Sequence, residues 1–195
     1  MQKEIEAKFL DIDKDKIRKQ LKDLGCKLIK PETLMKRKAF HVENDFEINR
    51  LRWARVRDEG DKITMTVKEI KSDGLHGVYE SEVTIDSFEQ GVGLLKGLDM
   101  VETAYQETLR ELWASEDEKV YFMIDTWPCL NTVIEIESGD EDSVKKYSQL
   151  LGFDFKDAMF GGIDVVYAKV YDIDPKLVCK FPKITFDMSW KQILS

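Results

Sequence analysis

The chain has 195 residues, 43% hydrophobic and 35% charged, with 38 acidic against 30 basic side chains and a net charge of −8. That length and apolar content fit one folded domain with a real core and exclude a disordered chain. The acidic balance excludes a non-specific nucleic-acid or anionic-membrane binder. Cys26, Cys129 and Cys179 are odd in number and lack CxxC spacing, which reads as reduced thiols in a cytoplasmic protein rather than a disulfide framework or zinc site. His41 and His76 are isolated and read as surface or packing residues. Glu4 and Glu6 come before any apolar run, so no secretory signal is expected, and no stretch approaches a membrane span.

Residues 2–10 alternate as a strand, with Glu4, Glu6 and Lys8 on one face and Ile5, Ala7 and Phe9 on the other. The next segment, DKDKIRKQLKDLG, predicts a helix with Asp13 as N-cap, an Ile17, Leu21 and Leu24 stripe, and Gly25 as its stop. Two strands are expected at 26–30 and 34–43. A hairpin follows in RWARVRDEGDKITMTVKEI, turning through Asp58-Glu59-Gly60-Asp61, and then a strand in VYESEVTID. Ser87 and Gln90 open a helix in SFEQGVGLLKGL as a capping box, although Gly91 and Gly93 weigh against it. Strands are expected at 100–114, 118–127 and 131–138, and a helix near 141–151. GIDVVYAKVYD reads as a final strand, and the segment from Asp172 onward has no assigned element. The expected architecture is α+β: a closed antiparallel β-barrel of about eight strands, with flanking helices.

The period-2 rule places charge on one face of strand after strand: Glu4, Glu6 and Lys8; Trp53, Arg55 and Arg57; Thr64, Thr66 and Lys68; Glu80 and Glu82; Arg110; Asp125; Glu135 and Glu137. One reading is a sheet with a single wet face and cross-strand salt bridges. The other is a closed lumen, where buried charges cost several kcal/mol each unless paired or bound to ligand. Arg55, Arg57, Lys68 and Arg110 supply donors suited to phosphate oxygens. The carboxylates supply hard oxygen ligands for Mg²⁺ or Mn²⁺. Both signs in one cavity fit a metal–polyphosphate complex.

With these residues the chain resembles the CYTH family, also called triphosphate tunnel metalloenzymes, which includes class IV adenylyl cyclases, thiamine triphosphatases and inorganic triphosphatases. The hallmark E-x-E-x-K is matched by Glu4-Ile5-Glu6-Ala7-Lys8. R-x-R-x-x-G followed by L-T-x-K resembles Arg55-Val56-Arg57-Asp58-Glu59-Gly60 and Met65-Thr66-Val67-Lys68. The later E-x-E is matched by Glu80-Ser81-Glu82, a basic strand position by Arg110, and D-x-x-P-x-L by Asp125 to Leu130, with Glu135-Ile136-Glu137 after it. Tyr167 corresponds to a family tyrosine on the last strand. Thr108 stands where the family often has a second base, and Asn131 replaces a common glycine.

The resemblance implies that Glu4, Glu6, Asp125, Glu135 and Glu137 gather around divalent metal, Mg²⁺ or Mn²⁺, and that Lys8, Arg55, Arg57, Lys68 and Arg110 hold a triphosphate. Glu4, Glu6 and Lys8 are the catalytic candidates. Glu80 and Glu82 are either ligands of a second metal or partners of the lining bases. Trp53 shares the lumen face with Arg55 and is either a stacking platform or a rim residue filling space. The expected partner is a small-molecule triphosphate, with no nucleic acid and no membrane; a homodimer is left open. Residues 1–172 would form the tunnel domain and 173–195 an extension without an assigned role. The expected activity is metal-dependent hydrolysis of inorganic tripolyphosphate or a simple organic triphosphate such as thiamine triphosphate. The alternatives are a class IV adenylyl cyclase and a non-enzymatic polyphosphate-binding barrel.

Overall fold

A computed structural model describes residues 1–3, 5–42, 51–70 and 78–194. Glu4 and His76 lie outside the described residues. The strands are β1 (Gln2–Lys3), β2 (Ile5–Phe9), β3 (Lys27–Val42), β4 (Leu51–Asp58), β5 (Ile63–Ile70), β6 (Val78–Ile85), β7 (Met100–Ala114), β8 (Val120–Thr126), β9 (Val133–Ser138) and β10 (Lys183–Ile184). The helices are α1 (Lys14–Asp23), α2 (Phe88–Gly97), α3 (Glu141–Leu150), α4 (Ile163–Tyr171), α5 (Pro175–Val178) and α6 (Trp190–Ile193).

The fold is α+β. With β1 and β2 counted as halves of one N-terminal strand, eight antiparallel strands form a strongly curled sheet in the order β1-β6-β5-β4-β3-β7-β8-β9-β2. β1 pairs with β6 and β2 with β9, so the two ends of this path are neighbours in the chain, flanking residue 4. β10 adds to β7 in parallel.

The outer face of β2 carries Ile5, Ala7 and Phe9 into a core shared with Ile17 and Leu21 of α1, Phe122 and Ile124 of β8, and Ile134 and Ile136 of β9. Asp13 caps α1 by accepting from the N–H groups of Asp15 and Lys16 at 3.0 and 3.1 Å. Ser87 caps α2 by accepting from the N–H of Gln90 at 3.2 Å. Gly91, which counted against α2 in the sequence, is what allows it to pack: a Cβ there would lie 2.4 Å from Ile85 Cδ1. α2 thus presses directly on the second core, around Phe40, Ala54, Val56 and Leu95.

Two expectations are corrected. The strands expected at 26–30 and 34–43 are one continuous strand, β3, with register shifts between Leu28 and Thr33. Pro31 reads as a breaker, but it falls within this irregular stretch, where a missing N–H is tolerated. The segment read as a final strand is helix α4. Its Val165-Val166 pair suggests β structure, but Val166 and Tyr167 are both buried by helical spacing, and Gly162 begins the helix. The segment from Asp172 onward, unassigned from sequence, forms α5, β10 and α6. It packs Val178, Phe181, Ile184 and Ile193 against Trp127 and Tyr167. Among the described residues no helix is long and apolar enough to cross a membrane.

Candidate active site

The inner face of the curled sheet lines a cavity of about 380 Å³, within the usual range of small-molecule sites. Strand pairing builds its walls. Across β4 and β5, Trp53 stands opposite Lys68, Arg55 opposite Thr66, and Arg57 opposite Thr64. The next pairing sets Lys68 opposite Glu80 and Thr66 opposite Glu82. On the other wall, Glu6 faces Glu137 and Lys8 faces Glu135, while Arg110 on β7 faces Asp125 on β8. Directly opposed residues in an antiparallel ladder share a face, so the alternation in each strand becomes one charged lining.

Of the residues singled out by sequence, the cavity brings together Glu6, Lys8, Trp53, Arg55, Arg57, Lys68, Glu80, Glu82, Arg110, Glu135 and Glu137. Asp125 lies behind this lining, 1% exposed. Both of its oxygens accept from Arg110, from Nε at 2.7 Å and from Nη2 at 2.5 Å. Tyr167 does not line the cavity. It is buried on α4 and donates its hydroxyl proton to the Pro128 carbonyl at 2.5 Å.

The charges alternate along a chain. Glu6 accepts from Lys8 at 2.5 Å, Lys8 also pairs with Glu135 at 3.3 Å, and Glu135 accepts from Arg110 at 2.8 Å. Burial alone would lower the pKa of Lys8, but the charges of Glu135 and Glu6 hold it above its ordinary range. Burial would raise that of Glu135, yet Lys8, Arg110 and Lys68 hold it down to about 2. Glu80 pairs with Lys68 at 2.8 Å and lies 3.8 Å from Arg55. Glu82 reaches Arg55 at 3.4 Å and accepts from Thr66 at 2.7 Å. Both are therefore engaged by the lining bases.

Glu137 differs, since it makes no hydrogen bond or ion pair with any described residue. Burial first, and then the negative charge of Glu6, push its pKa up to about 7, with Glu135 and Glu80 adding to the rise. Among the described residues no group of three or more His, Cys, Asp or Glu side chains is set to hold a metal ion. The donor chemistry nevertheless fits a divalent cation. Glu6, Glu135 and Glu137 supply carboxylate oxygens close enough to repel one another, and an added cation would relieve that repulsion.

Two cavity-lining residues escaped the sequence reading. Glu59, placed there only in a turn, is 6% exposed and accepts from Arg57 Nε and Nη2 at 2.8 and 2.5 Å and from Thr64 Oγ1 at 3.1 Å. Arg37 on β3 lies directly opposite Arg57 and lines the cavity. The consecutive bases Lys36-Arg37-Lys38 obscured its parity, although Met35, Arg37, Ala39 and His41 alternate onto the cavity wall. Its Nε donates to Gln106 Oε1 at 2.7 Å, and its guanidinium lies over the Trp127 ring at 4.6 Å. Burial first, then the charges of Arg55, Arg57 and Arg110, lower its pKa to about 9. Residues far along the chain complete the wall. Met159 pairs its backbone with Lys8, while Gly161 to Asp164 and then Val178 and Cys179 line the cavity.

The model of the CYTH domain matches residues 2–154, well over half of the chain. The chain belongs to the CYTH family. The CYTH fold recurs in the PH1012 protein of Pyrococcus horikoshii OT3, with a TM-score of 0.64 and 20% identity over 80% of this chain and 94% of that one. A candidate adenylate cyclase from Vibrio parahaemolyticus has a TM-score of 0.69 and 11% identity, over 88% and 99% of the two chains. The Hippeastrum protein HpAC1, described as revealing a dominant triphosphatase activity, has a TM-score of 0.59 and 15% identity, over 90% and 98%. These likenesses show a shared fold. No curated protein sequence matches this one.

Proposed function

We propose that this CYTH protein is a divalent-metal-dependent triphosphatase that binds inorganic tripolyphosphate, or a simple organic triphosphate such as thiamine triphosphate, inside a closed tunnel. One observation carries the proposal: Lys8, Arg55, Arg57, Lys68 and Arg110 face a single cavity that also holds the Glu6, Glu135 and Glu137 cluster. Such lining is a poor source of stability, because desolvating each charge offsets much of its pairing energy. A polyanion with a bound cation complements both signs. Closure into a tunnel is supported by β1 and β2, which take the two ends of the strand path on either side of residue 4.

In this proposal Arg55, Arg57, Lys68, Lys8 and Arg110 bind the phosphate oxygens, each charge-assisted contact contributing about 1.5–3 kcal/mol. Glu6, Glu135 and Glu137, together with Glu4 of the same E-x-E-x-K motif, would hold Mg²⁺ or Mn²⁺. When bound, the metal neutralises phosphate charge. Asp125 enters as the anchor that fixes the guanidinium plane of Arg110. Water attacks the terminal phosphorus and the bridging P–O bond breaks, so tripolyphosphate yields orthophosphate and pyrophosphate.

A second reading, adenylyl cyclase, is favoured by Trp53, whose ring lines the cavity 5.8 Å from the Arg55 guanidinium and could stack on an adenine. Incubation with Mg²⁺ or Mn²⁺ and tripolyphosphate, thiamine triphosphate or ATP separates these readings. Orthophosphate release supports the triphosphatase, whereas cyclic AMP with pyrophosphate from ATP supports the cyclase. Metal-dependent binding without turnover of any substrate would overturn both and leave a binding barrel.

A further inference from the structure

Among the described residues four guanidinium groups face the cavity, and three of them have carboxylates. Arg55 has Glu82 and Glu80, Arg57 has Glu59, and Arg110 has Asp125 and Glu135. Arg37 has none among the described residues. Its only contacts there are the Nε bond to Gln106 and the face of Trp127. These two contacts fix the plane of the guanidinium and leave both terminal amino groups without a partner among the described residues. A cation among three like charges, held rigidly with its fork open, is a preorganised receptor for an anion.

Arg37 on β3 lines the same cavity as Glu6 on β2 and Glu137 on β9. Asp164, on the segment that walls the same cavity, has its pKa raised by burial and feels the opposing pull of Lys8 and Arg37. Gly161, Gly162 and Trp127 complete that part of the lining.

We infer that Arg37 is a specificity-determining anion ligand that makes the cavity select a three-phosphate chain over a two-phosphate one. Its open fork receives a phosphate that the carboxylate-paired bases leave unmatched. The inference rests on the triphosphate-binding reading above. Arg55, Arg110 and Lys8 suffice for the charge of a diphosphate, whereas the added charge of a third phosphate calls on Arg37.

The test is calorimetric titration of wild type, Arg37→Met and Arg37→Lys with inorganic tripolyphosphate and with pyrophosphate in EDTA, beside KM for tripolyphosphate in Mg²⁺. Arg37→Met should weaken tripolyphosphate binding about tenfold or more and pyrophosphate binding less than about threefold. Arg37→Lys, which keeps the charge but loses the fork, should fall between. The ligand-free Arg37→Met protein should melt no lower than wild type, because a cation without a carboxylate has been removed. Equal losses on both anions, or a lowered melting temperature with selectivity unchanged, would overturn the inference and leave Arg37 a structural support for Trp127. Failure of the wild type to bind or turn over tripolyphosphate would overturn the triphosphatase reading as well.

Discussion

Substitution of Glu59 by Gln isolates the electrostatics of the lining from the rest of the fold. Glu59 and Arg57 are 6% and 8% exposed, so the pair is almost fully removed from water. One carboxylate oxygen, Oε1, accepts from Arg57 Nε and Nη2 and from Thr64 Oγ1. Burial would raise the pKa of Glu59, but the charge and hydrogen bonds of Arg57 outweigh it and hold the carboxyl below its ordinary value. Removing one partner of a buried ion pair costs about 3–5 kcal/mol. Gln keeps an acceptor at the same position, so about 2–3 kcal/mol is expected. For a chain of this length that lowers the melting temperature by roughly 4–12 °C.

The substitution also leaves Arg57 near Arg55 and Arg110 with less compensation, since among the described residues only Glu82 at 3.8 Å remains. Tripolyphosphate should therefore raise the melting temperature of Glu59→Gln by more than it raises that of wild type. Thermal unfolding of both proteins, with and without tripolyphosphate at fixed ionic strength, measures both effects. An unchanged melting temperature in the variant, or a smaller ligand-induced rise than in wild type, would refute this view of the pair.

Three further outcomes are expected. Glu4→Gln should abolish metal-dependent hydrolysis while leaving the circular dichroism spectrum and melting temperature unchanged; wild-type rates would remove Glu4 from the metal site. Glu137, with its pKa raised to about 7, binds more protons folded than unfolded, so it favours the folded state fully below its ordinary pKa of about 4.3 and loses that contribution as pH rises through 7. Glu137→Gln should accordingly flatten the fall in metal-free stability between about pH 5 and 7, measured by urea titration. Trp190 stacks on Tyr171 with ring centroids 3.6 Å apart and lies near Tyr167 and Phe181. Trp190→Ala should cost about 2 kcal/mol, less than a fully buried Trp→Ala because the ring is partly exposed; no loss would mean that residues 173–195 contribute little to the fold.

The charged lining was legible because period-2 alternation survives in β2, β4 and β9, where an apolar residue separates each pair of charges, and in β5 and β6, where Thr64, Thr66 and Lys68, and Glu80 and Glu82, recur at every second position. The same rule failed on β3, where Lys36 and Lys38 flank Arg37 and the outward bases mask the inward one. Lys38 is taken up by Glu102 at 2.8 Å on the outside. Glu59 was hidden for another reason: turn residues are read for their backbone geometry, and nothing local shows that a turn carboxylate folds back onto Arg57. α4 was misread because β-branched residues at 163, 165 and 166 favour a strand locally, while its burial against Trp127 and Val133 is set by contacts distant in sequence. The far wall of the cavity, from Gly161 to Asp164 and at Val178 and Cys179, carries no motif and could be placed only by the fold.

The most direct test of the central claim is product analysis with inorganic tripolyphosphate in the presence and absence of Mg²⁺ or Mn²⁺. Triphosphatase chemistry in the charged cavity requires one orthophosphate and one pyrophosphate per tripolyphosphate consumed, only with the divalent cation, and their loss when Arg55 or Arg57 is replaced by Ala. Intact tripolyphosphate after prolonged incubation with either cation, together with cyclic AMP formed from ATP, would contradict it.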